Sequence, residues 1–170
     1  ARQAEAAGHA DWLLQYWMAR ARVGQAKGLR GAGDAPGARA LLERQIAALD
    51  AAVARETDDF ARLHLLAQRG GTWLVLAQVF DEANRTSLLL AEPAMNAFDR
   101  VDADLGEALA LPNAIFERVD AVSVPGEASA RTGIRHMRGV AKGGRAQVAL
   151  RADALEDARR FASEGVALHQ

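Results

Sequence analysis

With 170 residues and a net charge of -1, the chain is long enough for one ordinary domain, and its overall charge gives no basis for nucleic-acid binding. Cysteine is absent, which excludes disulfides, thiolate nucleophiles and thiolate metal sites. Alanine-rich usage with only 5% aromatics favours closely packed helices, and no apolar run approaches the roughly 18 residues that a membrane span needs.

A helical pattern runs over 4–29 and contains the stretch WLLQYWMARAR at 12–22. On a helical wheel Trp12, Tyr16, Arg20, Val23, Lys27 and Arg30 fall on one stripe, while Asp11, Gln15 and Arg22 form a solvated side. Arg20 is thus expected among apolar and aromatic groups, where an unpaired charge is costly, so it needs an anion. Three sources are open: a carboxylate ligand walled by Trp12, Tyr16 and Trp17, an internal acid such as Asp99 or Glu82, or water reached along the bundle surface.

GAGDAPG at 31–37 breaks the pattern, with Asp34 as N-cap and Pro36 in the first turn of a second helix over 35–56. Leu41, Leu42, Ile46, Leu49 and Val53 give that helix its buried stripe. Thr57 or Asp58 caps a third segment, and the Gly70–Gly71 pair, costing roughly 1 kcal/mol per glycine, predicts a kink or break. From 73 to 111 the sequence reads as one long helix bent at Pro93, about 58 Å if unbroken. A short helix over 114–122, a turn at 124–127, and helices over 127–141 and 145–168 interrupted by KGG complete the chain. With no sustained period-two alternation, the fold class is all-α, an elongated antiparallel helical bundle.

Motifs for chemistry are sparse. His9, His64, His136 and His169 lack partners at metal-ligand spacing, so no metal site is expected. Asp99, Asp102 and Asp104 lack calcium-loop order and read as an exposed acidic face. The serines show no nucleophile elbow, and GLRGAG at 28–33 follows a helix, so it is no phosphate loop. Arg131, Arg135, Arg138 and Lys142 form a basic stripe, read as a solvated face paired with acids. These patterns support no enzyme assignment and no cofactor.

MARARVGQAKGLRGAGDAPGARALLERQIAALDAAV at 18–53 resembles the first half of helical sensor domains of bacterial chemoreceptors and sensor kinases. WLVLAQVFDEANRTSLLLAEPAMNAFDRVDADLGEAL at 73–109 is similar to the family's long helix, the nearest types being the helical bimodular and four-helix-bundle sensors. The resemblance implies an extracytoplasmic domain between two membrane helices that binds a small molecule, often an organic acid, and passes on a helix displacement. It makes Arg20 or Arg22 the ligand-facing arginine; the wheel favours Arg20.

The expectation is therefore a single helical-bundle domain over 1–170, a fragment of a larger membrane receptor, located in the periplasm and homodimeric in that receptor. It touches the membrane only through flanking helices and binds a small carboxylate at Arg20, Tyr16, Trp12 and Trp73. The alternatives are a helical interaction or scaffold domain without a small-molecule site, and a cytoplasmic location.

Overall fold

The computed structural model describes residues 2–84, 91–123 and 128–168, and for 2–10 and 84 the backbone alone. Among these residues the chain is all-α, with seven helices: α1 (Arg2–Gly31), α2 (Ala35–Arg55), α3 (Asp59–Asn84), α4 (Ala91–Leu109), α5 (Asn113–Asp120), α6 (Ala130–Arg151) and α7 (Leu155–Ala167). None of the described helices is long and apolar enough to cross a membrane.

Local chemistry sets several boundaries. Gly33, at φ 84°, ends the first helix in a conformation that favours glycine, and Asp34 Oδ1 then accepts the Gly37 N–H at 2.9 Å, with Pro36 in the first turn of α2. Asp58, not Thr57, caps α3, accepting the Ala61 N–H at 2.9 Å. Ser129 caps α6 through the Thr132 N–H at 3.3 Å.

Three expectations fail. First, α3 runs unbroken through Gly70 and Gly71. A β-carbon on Gly70 would lie 2.7 Å from Leu105 Cδ2, so this glycine lets α4 approach closely, which outweighs its helix cost. Second, no single helix spans 73–111: α3 ends at Asn84, and α4, with Pro93 in its first turn, packs back against α3. Third, α6 continues through Gly143 and Gly144, and the true break lies at Asp153, at φ 60°. Leu88 and the expected turn at 124–127 lie outside the described residues.

Neighbouring helices run antiparallel, and α3 is the hub. It closes one three-helix group with α1 and α2 and another with α4 and α6, while α7 lies on α6 and the short α5 bridges α3 and α6. One core joins both groups, built from Leu42, Leu49, Leu65, Leu66, Leu76, Val101, Leu105 and Val148. A smaller cluster of Ala149, Ala158 and Phe161 holds α7 beside Met95.

The acidic and basic stripes meet each other. Asp102 on α4 binds Arg138 at 2.7 Å and Lys142 at 3.0 Å on α6, and Lys142 also reaches Glu164 on α7 at 2.6 Å. Asp99 pairs with Arg145 at 2.9 Å. Asp104, read as exposed, is in fact buried. These aspartates are interhelical anchors rather than a free acidic face.

Candidate functional site

The residues expected to form one ligand site are divided between two sides of α3. Trp12 stacks on His64 with centroids 5.5 Å apart and planes 9° from parallel, and the Phe60 edge meets both rings. Tyr16 adds an edge to His64 at 5.7 Å. This set is closed by ring-on-ring packing, and burial lowers the His64 pKa below its ordinary value.

Arg20 is exposed, contrary to its expected place on the inward stripe. Its Nη1 donates to the Tyr16 hydroxyl at 3.1 Å, and its guanidinium lies 5.4 Å from the Trp17 ring centroid. Arg22, expected on the wet face, instead reaches inward and donates to Oε1 of the fully buried Gln45 at 2.6 Å. The acids offered to Arg20 are engaged elsewhere: Glu82 pairs with Arg30 at 3.4 Å and Asp99 with Arg145.

Trp73 lies nine residues after His64, a rotation of about 900° or half a turn, so it faces the other side of α3. There it lines a groove of about 700 Å³ between α2 and α4, whose backbones do not approach one another closely among the described residues. The arrangement follows from three stripes at helical spacing. Trp73, Leu76 and Phe80 come from α3, Ile46 and Ala47 from α2, and Pro93, Ala97 and Arg100 from α4. Sequence reading singled out Trp73 but missed the rest; the 73–76–80 spacing was the available signal, hidden by reading 73–111 as one helix.

The groove's acids are already neutralised. Glu43 pairs with Arg39 at 2.7 Å, Asp50 with Arg69 at 2.9 Å and Asp99 with Arg145 at 2.9 Å. Arg100, exposed at the rim, is the one groove-lining charge without an ion pair among the described residues. An apolar and aromatic floor beside an unspent guanidinium suits a small molecule with an apolar body and an anionic group.

One end of the groove is clamped across three helices. Arg69 on α3 grips Asp104 on α4 with both arms, Nε at 2.9 Å and Nη2 at 2.6 Å, while Nη1 holds Asp50 on α2 at 2.9 Å. Burial pushes the Asp104 carboxyl up, and the ion pair with Arg69 offsets only part of that push. Arg69, desolvated by the same burial, is held charged by Asp104 and Asp50.

No set of three metal-ligating side chains converges among the described residues. Compared with protein-family models, curated proteins and solved structures, the chain has no match, so the fold stands as an all-helical domain with no family identified.

Proposed function

We propose that this chain is a non-enzymatic extracytoplasmic sensor module that binds a small organic acid and passes a helix displacement to a signalling region, acting as a homodimer within a membrane receptor. The observation that carries the reading is the α2–α3–α4 groove, where Trp73 and Phe80 supply apolar wall and Arg100 an unpaired cation. The carboxylate binds Arg100, which lines the groove, rather than Arg20, which does not, and the apolar body lies against Trp73. Of the likeness to helical sensor domains, 18–53 keeps its order of two helices about a GD turn and supports the same reading, whereas 73–109 is divided between α3 and α4 and does not. Because α2 and α4 have no close backbone approach among the described residues and are tied through α3 and the Arg69 clamp, a ligand bridging them shifts one helix against the other, a discrete repacking of the kind bundles permit.

Thermal unfolding against a panel of mono- and dicarboxylates tests this. A matching acid at about a hundred times its Kd adds about 2.7 kcal/mol, a rise of roughly 5–11 °C for a domain of this size. Arg100→Ala should remove that rise without lowering the unliganded midpoint, and Arg20→Ala should leave it intact. If no organic acid stabilises the protein, or if the rise survives Arg100→Ala, the reading fails.

A further inference from the structure

Helix α1 has two faces. Trp12, Tyr16, Ala19, Val23 and Ala26 turn toward the bundle, but a second stripe, Leu14, Trp17, Ala21, Gly24 and Gly28, faces outward and is exposed throughout. Leu14 and Trp17, large apolar groups, are each 56% exposed, and Trp17 meets only Tyr16 and Arg20 of its own helix among the described residues. Positions 14, 17, 21, 24 and 28 are spaced alternately three and four apart, the spacing of a seam between two helices. Gly24 and Gly28 have open space where a β-carbon would project, so a second helix backbone can approach closely along that half of the seam.

Charge decides which helix fits. Arg20 and Lys27 flank the seam and are exposed, and no acidic residue occurs from 12 to 33. A second copy of α1 is a poor occupant: antiparallel pairing about Ala21 brings the two Arg20 side chains together, and parallel pairing sets Arg20 against Gln25, so neither arrangement gives Arg20 or Lys27 an acid to meet. A lipid surface is also poorly matched, because Ala21, Gly24 and Gly28 offer nothing to insert.

We propose that the outward face of α1 is a docking seam for an acidic amphipathic helix of a partner protein, its apolar stripe lying on Leu14, Trp17 and Gly24 and its carboxylates meeting Arg20 and Lys27. This interface is independent of the groove.

The test uses two labelled three-heptad peptides with leucine at the seam positions, one flanked by glutamate and one by lysine, titrated against the whole chain by fluorescence anisotropy. The acidic peptide should bind roughly ten-fold or more tightly than the basic one. The double variant R20E/K27E should reverse that preference, and Gly24→Leu should weaken the acidic peptide by blocking close approach. Equal affinity for the two peptides, binding of neither, or sedimentation showing a dimer lost in Trp17→Glu would overturn the proposal. So would binding to phosphatidylglycerol vesicles that abolishes the peptide preference.

Discussion

The ring of Phe98 on α4 occupies the space in which a β-carbon on Gly144 of α6 would have to lie. Phe98 is buried and held in the core, so Gly144→Ala should cost roughly 1–3 kcal/mol through overpacking, against a helix-propensity gain of about 1 kcal/mol. The adjacent Gly143 has open space at the same point, so Gly143→Ala should be neutral or stabilising by up to about 1 kcal/mol. Urea unfolding of the two single variants measures the contrast. If both alanines behave alike, glycine at 144 is not there for close helix contact.

This pair also explains where the sequence was readable and where it was not. The cap at Asp34, the buried stripe of α2 and the all-α class are local properties, and they are present as expected. The Gly70–Gly71 and Gly143–Gly144 pairs look like breaks because an isolated helix pays for glycine. In the fold one glycine of each pair admits a neighbouring helix, and the value of that approach depends on residues 35 and 46 positions away in sequence, Leu105 and Phe98. The stripes of α3 and α4 likewise read as one helix, since only their antiparallel packing distinguishes them.

The Arg69 clamp predicts an asymmetric response to mutation. Arg69→Ala leaves Asp104, with only 8% of its side chain exposed, as a buried carboxylate without its partner. Breaking such a pair costs roughly 3–5 kcal/mol. Asp50, at the exposed end of the same clamp, contributes like a surface pair, and Asp50→Asn should cost less than about 1 kcal/mol. Chemical denaturation of both variants gives the comparison; similar losses would show that the α2 end of the clamp carries as much as the α4 end.

Acid sensitivity follows from His64 and Asp102, with the same sign. Burial holds His64 below its ordinary 6.5, so the unfolded chain takes up the proton first. The stability contribution of His64 is full above pH 6.5 and falls as pH drops toward its lowered value. Burial alone would raise Asp102, but Lys142 and Arg138 hold it below 3.8, so its contribution persists above that value and is lost only in stronger acid. The melting temperature should therefore decline in two stages on acidification, offset in part between them by Asp104, whose raised carboxyl takes up its proton first in the folded chain. His64→Phe, which keeps a ring against Trp12, should flatten the first stage and leave the second; an unchanged slope near pH 6 would exclude His64 as its source.

Arg20 and Arg22 carry the remaining prediction, because the wheel put each on the wrong side of α1. Eight residues at 100° bring Arg20 back to only about 80° from Trp12. The stripe itself drifts the other way along the helix, through Ala19 and Ala26 at seven-residue intervals, by about 20° each time. That drift carries Arg20 out to solvent and Arg22 in toward α2, where its guanidinium satisfies Oε1 of the fully buried Gln45. Arg20→Ala removes an exposed contact with Tyr16 and Trp17, and should change stability by no more than about 0.5 kcal/mol. Arg22→Ala strips a buried amide oxygen of its charged donor and should cost roughly 1–3 kcal/mol. Arg22→Met with Gln45→Leu, which removes both polar partners together, should recover much of that loss. Equilibrium unfolding of the four proteins decides it: an Arg20→Ala loss equal to that of Arg22→Ala would mean that Arg20 faces the bundle as Arg22 does.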